Sequence, residues 1–431
     1  MKRIFTQVYE MRAFLTLWFT QSLSGLGSAM TSYALVLWSY GEKGSALVTA
    51  LLMVCSYAPY VLFSIFAGAL SDRWDKKRTM LACDAFAALV SIATIALYMS
   101  GALRIWHLYV LNALNGFMNT LQQPASEVAT TLLLPKKYYQ KVGALKYFSN
   151  ALQSILTPVI ATMVMGLWGI GAVFAFDMCT FFAAFCSLLF LIRLPKADKK
   201  AVNTGGFLSS VREGLRYLQT NRGILYLILF FACINLVASM YEAALPAVIL
   251  SRADDRALGA VNAAVGIAML AGSIIASFLP APKSRVRAVM NTLLFSMSFE
   301  NFLLAFGRSL PVWCIGAFLG WILIPLMNAN LSALMRLSIP EDIQGRVYAA
   351  RNSLQFFTIP VGYFLGGFFV DKVFEPLMAA ADANGIFVEL FGAGKGSGGA
   401  MFYACLAVTG IFVCLIFRKN KAIWELDDLT K

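Results

Sequence analysis

Five acids, Asp84, Glu127, Asp177, Glu242 and Glu300, stand within or beside long apolar runs, where a charge is costly. A carboxyl group in an apolar setting with no cation beside it holds its proton more readily, so each is a candidate to carry a proton or to meet a cation. Around them run rows of uncharged polar residues at helical spacing. One row is Gln21, Ser24, Ser28 and Ser32; a second is Asn112, Asn115, Asn119 and Gln123. A third is Asn235, Ser239 and Glu242, a fourth Asn328 and Ser332, and Asn150, Gln153, Thr157, Asn352 and Gln355 add to them. Such rows either line a polar cavity or hold helices together by hydrogen bonds worth about 0.6 to 2 kcal/mol each.

The elements that position these residues are long and apolar. Of 431 residues, 59% are hydrophobic and 13% charged, too little polar surface to cover a soluble chain of this size. Runs of roughly 18 residues or more, enough to cross a bilayer, recur at 13–39, 46–70, 79–100, 105–134, 143–167, 170–192, 223–250, 257–280, 288–307, 311–337, 347–370 and 400–417. They are continuously apolar instead of alternating, which predicts twelve transmembrane helices and not a barrel. The first begins behind Lys2, Arg3 and Arg12 and is too long for a signal-peptide core, so it reads as a retained anchor.

With the N-terminus placed in the cytoplasm, 28 of the 35 Lys and Arg fall on cytoplasmic segments. In short loops that bias sets both termini inside. The net charge of +13 is then a topology signal with attraction to anionic lipid, and not a nucleic-acid footprint. The eight cysteines lie inside spans with no CxxC pair and read as free thiols. A single histidine, His107, argues against an imidazole metal site, and no cofactor is implied. The run Gly392–Gly399 lacks phosphate-loop spacing and reads as an outer loop.

The segment 193–222 divides the chain into bundles at 1–192 and 223–431, and its Phe207–Leu218 reads as a surface amphipathic helix or a solvated linker. The halves echo each other. Pro135, Gln140 and Val142 answer Pro340, Gln344 and Val347, and Leu152-Gln153 with Pro158-Val159 matches Leu354-Gln355 with Pro360-Val361. Parallel six-helix repeats place a binding site between two halves in secondary transporters.

Between the second and third spans stands Gly68-Ala69-Leu70-Ser71-Asp72-Arg73-Trp74-Asp75-Lys76-Lys77-Arg78. This resembles the signature loop of the major facilitator superfamily, Gly-x-Leu-Ala-Asp-Arg-x-Gly-Arg-Arg/Lys. The resemblance implies an all-α membrane fold of twelve transmembrane helices in two pseudo-symmetric six-helix bundles. It also implies a conformational gate of Gly68, Asp72, Arg73, Lys76, Lys77 and Arg78. Asp75 replaces the family's second glycine, which puts the shape of the turn in question. Gln21, the Gln344-Gly345-Arg346 segment and Asp371-Lys372-Val373-Phe374-Glu375-Pro376 are most similar to the branch of bacterial macrolide-efflux and enterobactin-exporter proteins.

In that fold the first, fourth, seventh and tenth helices line the cavity, so the resemblance makes Gln21, Ser24, Ser28, Asn112, Asn115, Asn119, Gln123, Gln153, Asn235, Ser239, Asn328 and Gln355 substrate-binding candidates. Glu242 leads as proton carrier. Glu127 is second, or pairs with the loop cations. Asp177 and Glu300 fall on helices peripheral in this fold and read as structural; Asp84 reads as solvated or paired near the inner interface. The family's helix-four Arg is Asn112 here, and the Gly-Pro-x-x-Gly-Gly motif survives only as Thr157-Pro158 with Ala161, both of which weaken drug:proton exchange.

The expected function is secondary transport, and not an enzyme: export of a neutral or cationic amphipathic small molecule across a bacterial inner membrane, with protons the candidate coupling ion. The buried cations that an organic anion needs are absent from the expected cavity helices. A lipid or lysolipid flippase is the rival reading, and an intramembrane enzyme or receptor the alternative from another class. The expected partners are the cargo and membrane lipid, with no nucleic acid, and the chain reads as a monomer.

Overall fold

A computed structural model describes residues 2–133, 139–192, 194, 207–340 and 343–430, and among them it is helical throughout with no strand. Helices α1 (Lys2–Lys43), α2 (Ala46–Arg73), α3 (Lys76–Met99), α4 (Ile105–Leu132), α5 (Tyr139–Trp168) and α6 (Ile170–Cys186) cover the first six expected spans. The short helix α7 (Phe207–Thr220) follows, then α8 (Arg222–Arg252), α9 (Asp255–Phe278), α10 (Arg285–Phe306), α11 (Leu310–Ile322) and α12 (Ile324–Ser338). The chain ends with α13 (Gln344–Phe356), α14 (Thr358–Phe369), α15 (Glu375–Ala379), α16 (Ile386–Phe391), α17 (Ser397–Arg418) and α18 (Lys421–Trp424). In hydrocarbon the backbone must satisfy itself, and the helix does so within one segment.

Two expected spans are broken, each for a local reason. The tenth divides into α11 and α12 at Leu323, because Pro325 has no N–H to offer the carbonyl of Trp321. The eleventh divides into α13 and α14 at Phe357, ahead of Pro360.

Ten helical segments among the described residues are long and apolar enough to span a bilayer. The two expected spans missing from that set are α1 and α4, whose sequences carry the longest polar rows. All eight cysteines are free.

The chain divides into two compact units, one of Met1–Trp38 with Cys55–Thr204 and one of Ser39–Val54 with Gly205–Lys431. In the first, Leu17, Met80, Ala125, Ala129, Leu188 and Ile192 form a buried cluster joining α1, α3, α4 and the end of α6. Helix α5 is tied to α1 by Trp18 Nε1, which donates to the Leu145 carbonyl at 3.3 Å, and by the Ser22 and Ser149 hydroxyls 2.9 Å apart. Asp75, where the signature has glycine, caps α3 by accepting from the Arg78 N–H at 2.9 Å. The departure from the family pattern is a helix cap.

In the second unit α8 packs against α14 and α17, and α10 against α11, α12 and α17. Helix α7 packs on α13, with Leu218 fully buried and Tyr217 donating to the Ser338 carbonyl at 3.3 Å. Leu215, on the same apolar stripe, stays exposed.

The acidic pair of the Asp371 to Pro376 run has a structural job. A wide π turn, Val370–Phe374, follows α14. Asp371 accepts from the N–H groups of Ala46 and Leu47 at 2.9 Å each, and from the Ser45 hydroxyl at 2.5 Å, capping α2. Glu375 accepts from the N–H groups of Gly396 at 3.1 Å and Gly399 at 3.0 Å, capping α17. The two-residue turn into α2 needs Gly44, whose φ is +58°. Asp371→Ala removes the carboxylate that accepts from the Ala46 and Leu47 N–H groups at the α2 terminus and is expected to cost about 1 to 2 kcal/mol, read as a lower thermal unfolding midpoint in detergent.

Candidate functional site

Within the first unit a cavity of about 500 Å³ lies among α1, α3, α4 and α6. That is the size of pockets that hold drug-sized molecules. Helix α1 contributes Gln21, Ser24, Ser28, Thr31 and Ser32; α4 contributes Asn112, Asn115, Asn119, Gln122, Gln123 and Ser126. The polar rows of the first and fourth spans thus line one cavity, at the spacing their periodicity predicts.

Two carboxyl groups share it. Asp84 of α3, 8% exposed, accepts from Gln122 Nε2 at 2.5 Å and from Gln21 Nε2 at 3.4 Å. Asp177 of α6, 2% exposed, accepts from the Ser28 hydroxyl at 3.0 Å and the Thr31 hydroxyl at 2.9 Å. No Lys, Arg or His is among the described lining residues. A cavity with carboxylates, amides and hydroxyls but no cation offers acceptors to a positive or hydroxylated guest, and leaves an anion facing two carboxyl groups without a cation to offset its charge.

Both acids differ from their sequence expectation. Asp84, expected to be solvated or paired, is buried, hydrogen-bonded and cavity-lining, and Asp177 brings the sixth helix, expected to be peripheral, into the cavity wall. The legible signal on α3 was Asp84, Ala87, Ala88, Ser91 and Thr94, small or polar residues on one face, all of which line the cavity. Gln122, Thr31 and Ser126 were also missed, each beside a residue or row that was named.

Gln153 is not among the lining residues; its Nε2 donates to the Ser22 carbonyl at 2.9 Å and fastens α5 to α1. The second-unit candidates are largely bound to backbone. Asn235 Nδ2 donates to the Gln355 carbonyl at 3.3 Å, and the Ser239 hydroxyl donates to the carbonyls of Asn235 at 2.5 Å and Leu236 at 3.1 Å. Gln355 is buried and Asn328 exposed. Glu242 of α8 accepts from the Tyr363 hydroxyl of α14 at 2.8 Å. Glu300 of α10, 4% exposed, accepts from Trp321 Nε1 at 2.8 Å.

Of the gate candidates, Gly68 lies in α2, and the side chains of Asp72 and Arg73 lie outside the described residues, as does that of Glu127. Lys76 is buried and Arg78 exposed. Lys77 Nζ donates to the carbonyls of Leu189 at 2.9 Å and Ile192 at 2.7 Å, closing the C-terminal end of the α6 segment with a positive charge. Lys77→Ala is expected to cost about 1 kcal/mol, measured by the thermal midpoint beside that of Lys77→Arg, which keeps donors there.

The chain is 24% identical over 368 residues to macrolide efflux protein A of Streptococcus pyogenes, covering 84% of this chain and 90% of that protein. It is 25% identical over 393 residues to the multidrug efflux pump Tap of Mycolicibacterium fortuitum, covering 86% and 90%. It is 23% identical over 290 residues to the enterobactin exporter EntS of Citrobacter koseri, covering 65% and 66%. Among solved structures, the nucleoside transporter NupG superposes with a TM-score of 0.69 at 11% identity, over 95% of this chain and all of that one. The family model of the Major Facilitator Superfamily matches residues 17–363, most of the chain and a span that includes the loop from Gly68 to Arg78. This multi-pass membrane protein belongs to the Major Facilitator Superfamily, as a transporter with efflux-pump relatives.

Proposed function

We propose that the chain exports a neutral or cationic amphipathic small molecule across a bacterial inner membrane by alternating access, with both termini cytoplasmic and protons as the coupling ion. The observation that carries the cargo class is the lining of the first-unit cavity: two carboxyl groups, six side-chain amides and no cation among its described residues. The relatives' names, macrolide efflux and multidrug efflux, support the direction. The 28-to-7 division of Lys and Arg between cytoplasmic and outer segments supports the orientation. Glu242 of α8, held by Tyr363, is the proton carrier proposed first, with Glu127 of α4 as the second candidate.

The test is counterflow in liposomes holding the purified full chain, with three labelled probes: erythromycin, tetraphenylphosphonium and the anion taurocholate. Exchange of the first two and not of taurocholate is the expected result. Exchange of taurocholate alone would overturn the cargo class. Scrambling of labelled phospholipid without solute exchange would favour a flippase. For the proton role of Glu242, Glu242→Gln is expected to abolish stimulation by a pH gradient; full retention of it removes Glu242 from the coupling.

A further inference from the structure

Asp84 and Asp177 share a cavity but are held by different chemistry. Asp84 is held by the amide nitrogens of Gln21 and Gln122, which donate and cannot accept. To accept a hydrogen bond from a protonated Asp84, an amide must turn end for end and give up its present contact. Asp177 is held by the hydroxyls of Ser28 and Thr31. A hydroxyl donates and accepts alike, and changes role by rotating its hydrogen alone. Asp177 therefore keeps both partners whether it is charged or protonated.

The scaffold around Asp177 is tight. Helices α1 and α6 meet at Gly27, where a Cβ would stand 2.9 Å from the Asp177 Cα. That contact keeps Ser28 and Thr31 in reach. No described cation faces the group. From α1 come the two hydroxyls; from α3 comes the Asp84 carboxyl, with Tyr98 against Phe174 one turn before Asp177, ring centroids 5.8 Å apart. From α4 come amides and a hydroxyl, and on α6 itself Thr180 turns its hydroxyl to the Asp177 carbonyl at 3.0 Å. The stretch of α5 from Phe148 to Trp168 holds no titratable residue.

We propose that Asp177 is the proton-exchanging group of the first half: a carboxylate oxygen takes a proton from water in the cavity, one of the two hydroxyls turns from donor to acceptor, and the reverse step returns the proton. Asp84, whose amide partners present their N–H groups and can accept only by turning end for end, stays an anion and meets the positive charge of the cargo. This adds a second proton site to the one on Glu242, and it rests on the reading of the chain as a proton-coupled exporter.

Infrared difference spectra of the full chain in liposomes, taken across a pH titration without cargo, read the proton directly. The carboxylic C=O band that appears on acidification is expected to lose a component in Asp177→Asn that Asp84→Asn and Glu242→Gln keep. An unchanged band in Asp177→Asn overturns the proposal. Erythromycin transport supplies a second readout, the ratio of the rate under an imposed pH gradient to the rate of counterflow at equal pH, which a loss of folded protein does not move. Asp177→Asn is expected to bring that ratio to one and Asp177→Glu to restore part of it; a wild-type ratio in Asp177→Asn overturns the assignment. The paired Ser28→Ala, Thr31→Val change keeps the carboxyl and removes the hydroxyls. It is expected to shift the Asp177 band in frequency, and an identical band removes the hydroxyl device. A wild-type chain with no gradient response would sink the coupling reading itself, while the infrared band still reports whether Asp177 exchanges a proton.

Discussion

Gly116→Val is expected to abolish recovery of folded, monodisperse protein from the membrane. A Cβ at this position would overlap the Ser56 carbonyl oxygen, with the Ser56 carbonyl carbon 3.0 Å and its Cα 3.4 Å away. The obstacle is backbone of α2, so no side chain can swing aside, and the helices must separate. Overpacking of a close contact costs about 1 to 3 kcal/mol, and more where the backbone has to move. Helix α4 carries five of the six amides that line the cavity, so spreading α2 from α4 disturbs the site as well as the packing. Gly116→Ala introduces the same first atom and is expected to reduce yield and lower the thermal midpoint by a smaller amount. Size-exclusion profiles in detergent check both.

Asp84→Asn is expected to cut counterflow of tetraphenylphosphonium at least tenfold while reducing that of neutral chloramphenicol far less. The change removes one negative charge from a cavity whose described lining has no cation to compensate it, and tenfold corresponds to about 1.4 kcal/mol of lost attraction. An asparagine keeps the shape of the side chain and one oxygen to accept from Gln21 or Gln122. The measurement is the ratio of the two probe rates in the same liposomes, so a loss of total protein cancels. Equal losses for both probes would assign Asp84 to packing.

Much of this was legible in the sequence, and the gaps have physical causes. The rows on α1 and α4 could be read because amides and serines at i, i+3 and i+4 stand out against an apolar helix. The α3 face was harder, since Ala87, Ala88 and Ser91 look like small packing residues until Asp84 is seen to point among them. Asp177 reads as structural because the resemblance makes the sixth helix peripheral, and its partners, Ser28 and Thr31, lie 149 and 146 residues away in the chain, so no local pattern corrects that reading. The π turn after α14 leaves no composition mark, so the Asp371 and Glu375 run could be quoted as a motif but not read as two helix caps. The breaks at Leu323 and Phe357 fall just ahead of Pro325 and Pro360 in spans that read as continuous, whereas Pro59, Pro124, Pro158 and Pro246 lie inside continuous helices. Proline alone does not decide a break. The second-unit candidates were chosen by the same periodicity as the first, yet Asn235 and Ser239 bond to backbone. Periodicity finds a polar face without saying whether it meets a neighbour or a cavity.

The central claim is that cargo occupies the first-unit cavity, and the most direct measurement is protection of a single cysteine there. In a chain whose eight native cysteines are replaced by serine or alanine, Asn115→Cys places a thiol in the cavity wall, and Leu89→Cys places one on an exposed position of α3 that is not among the lining residues. Saturating erythromycin is predicted to slow alkylation at position 115 at least fivefold, to leave position 89 unchanged, and to have no counterpart with taurocholate. Equal alkylation rates at position 115 with and without erythromycin and tetraphenylphosphonium, in protein that transports both, would place the cargo elsewhere and contradict the account.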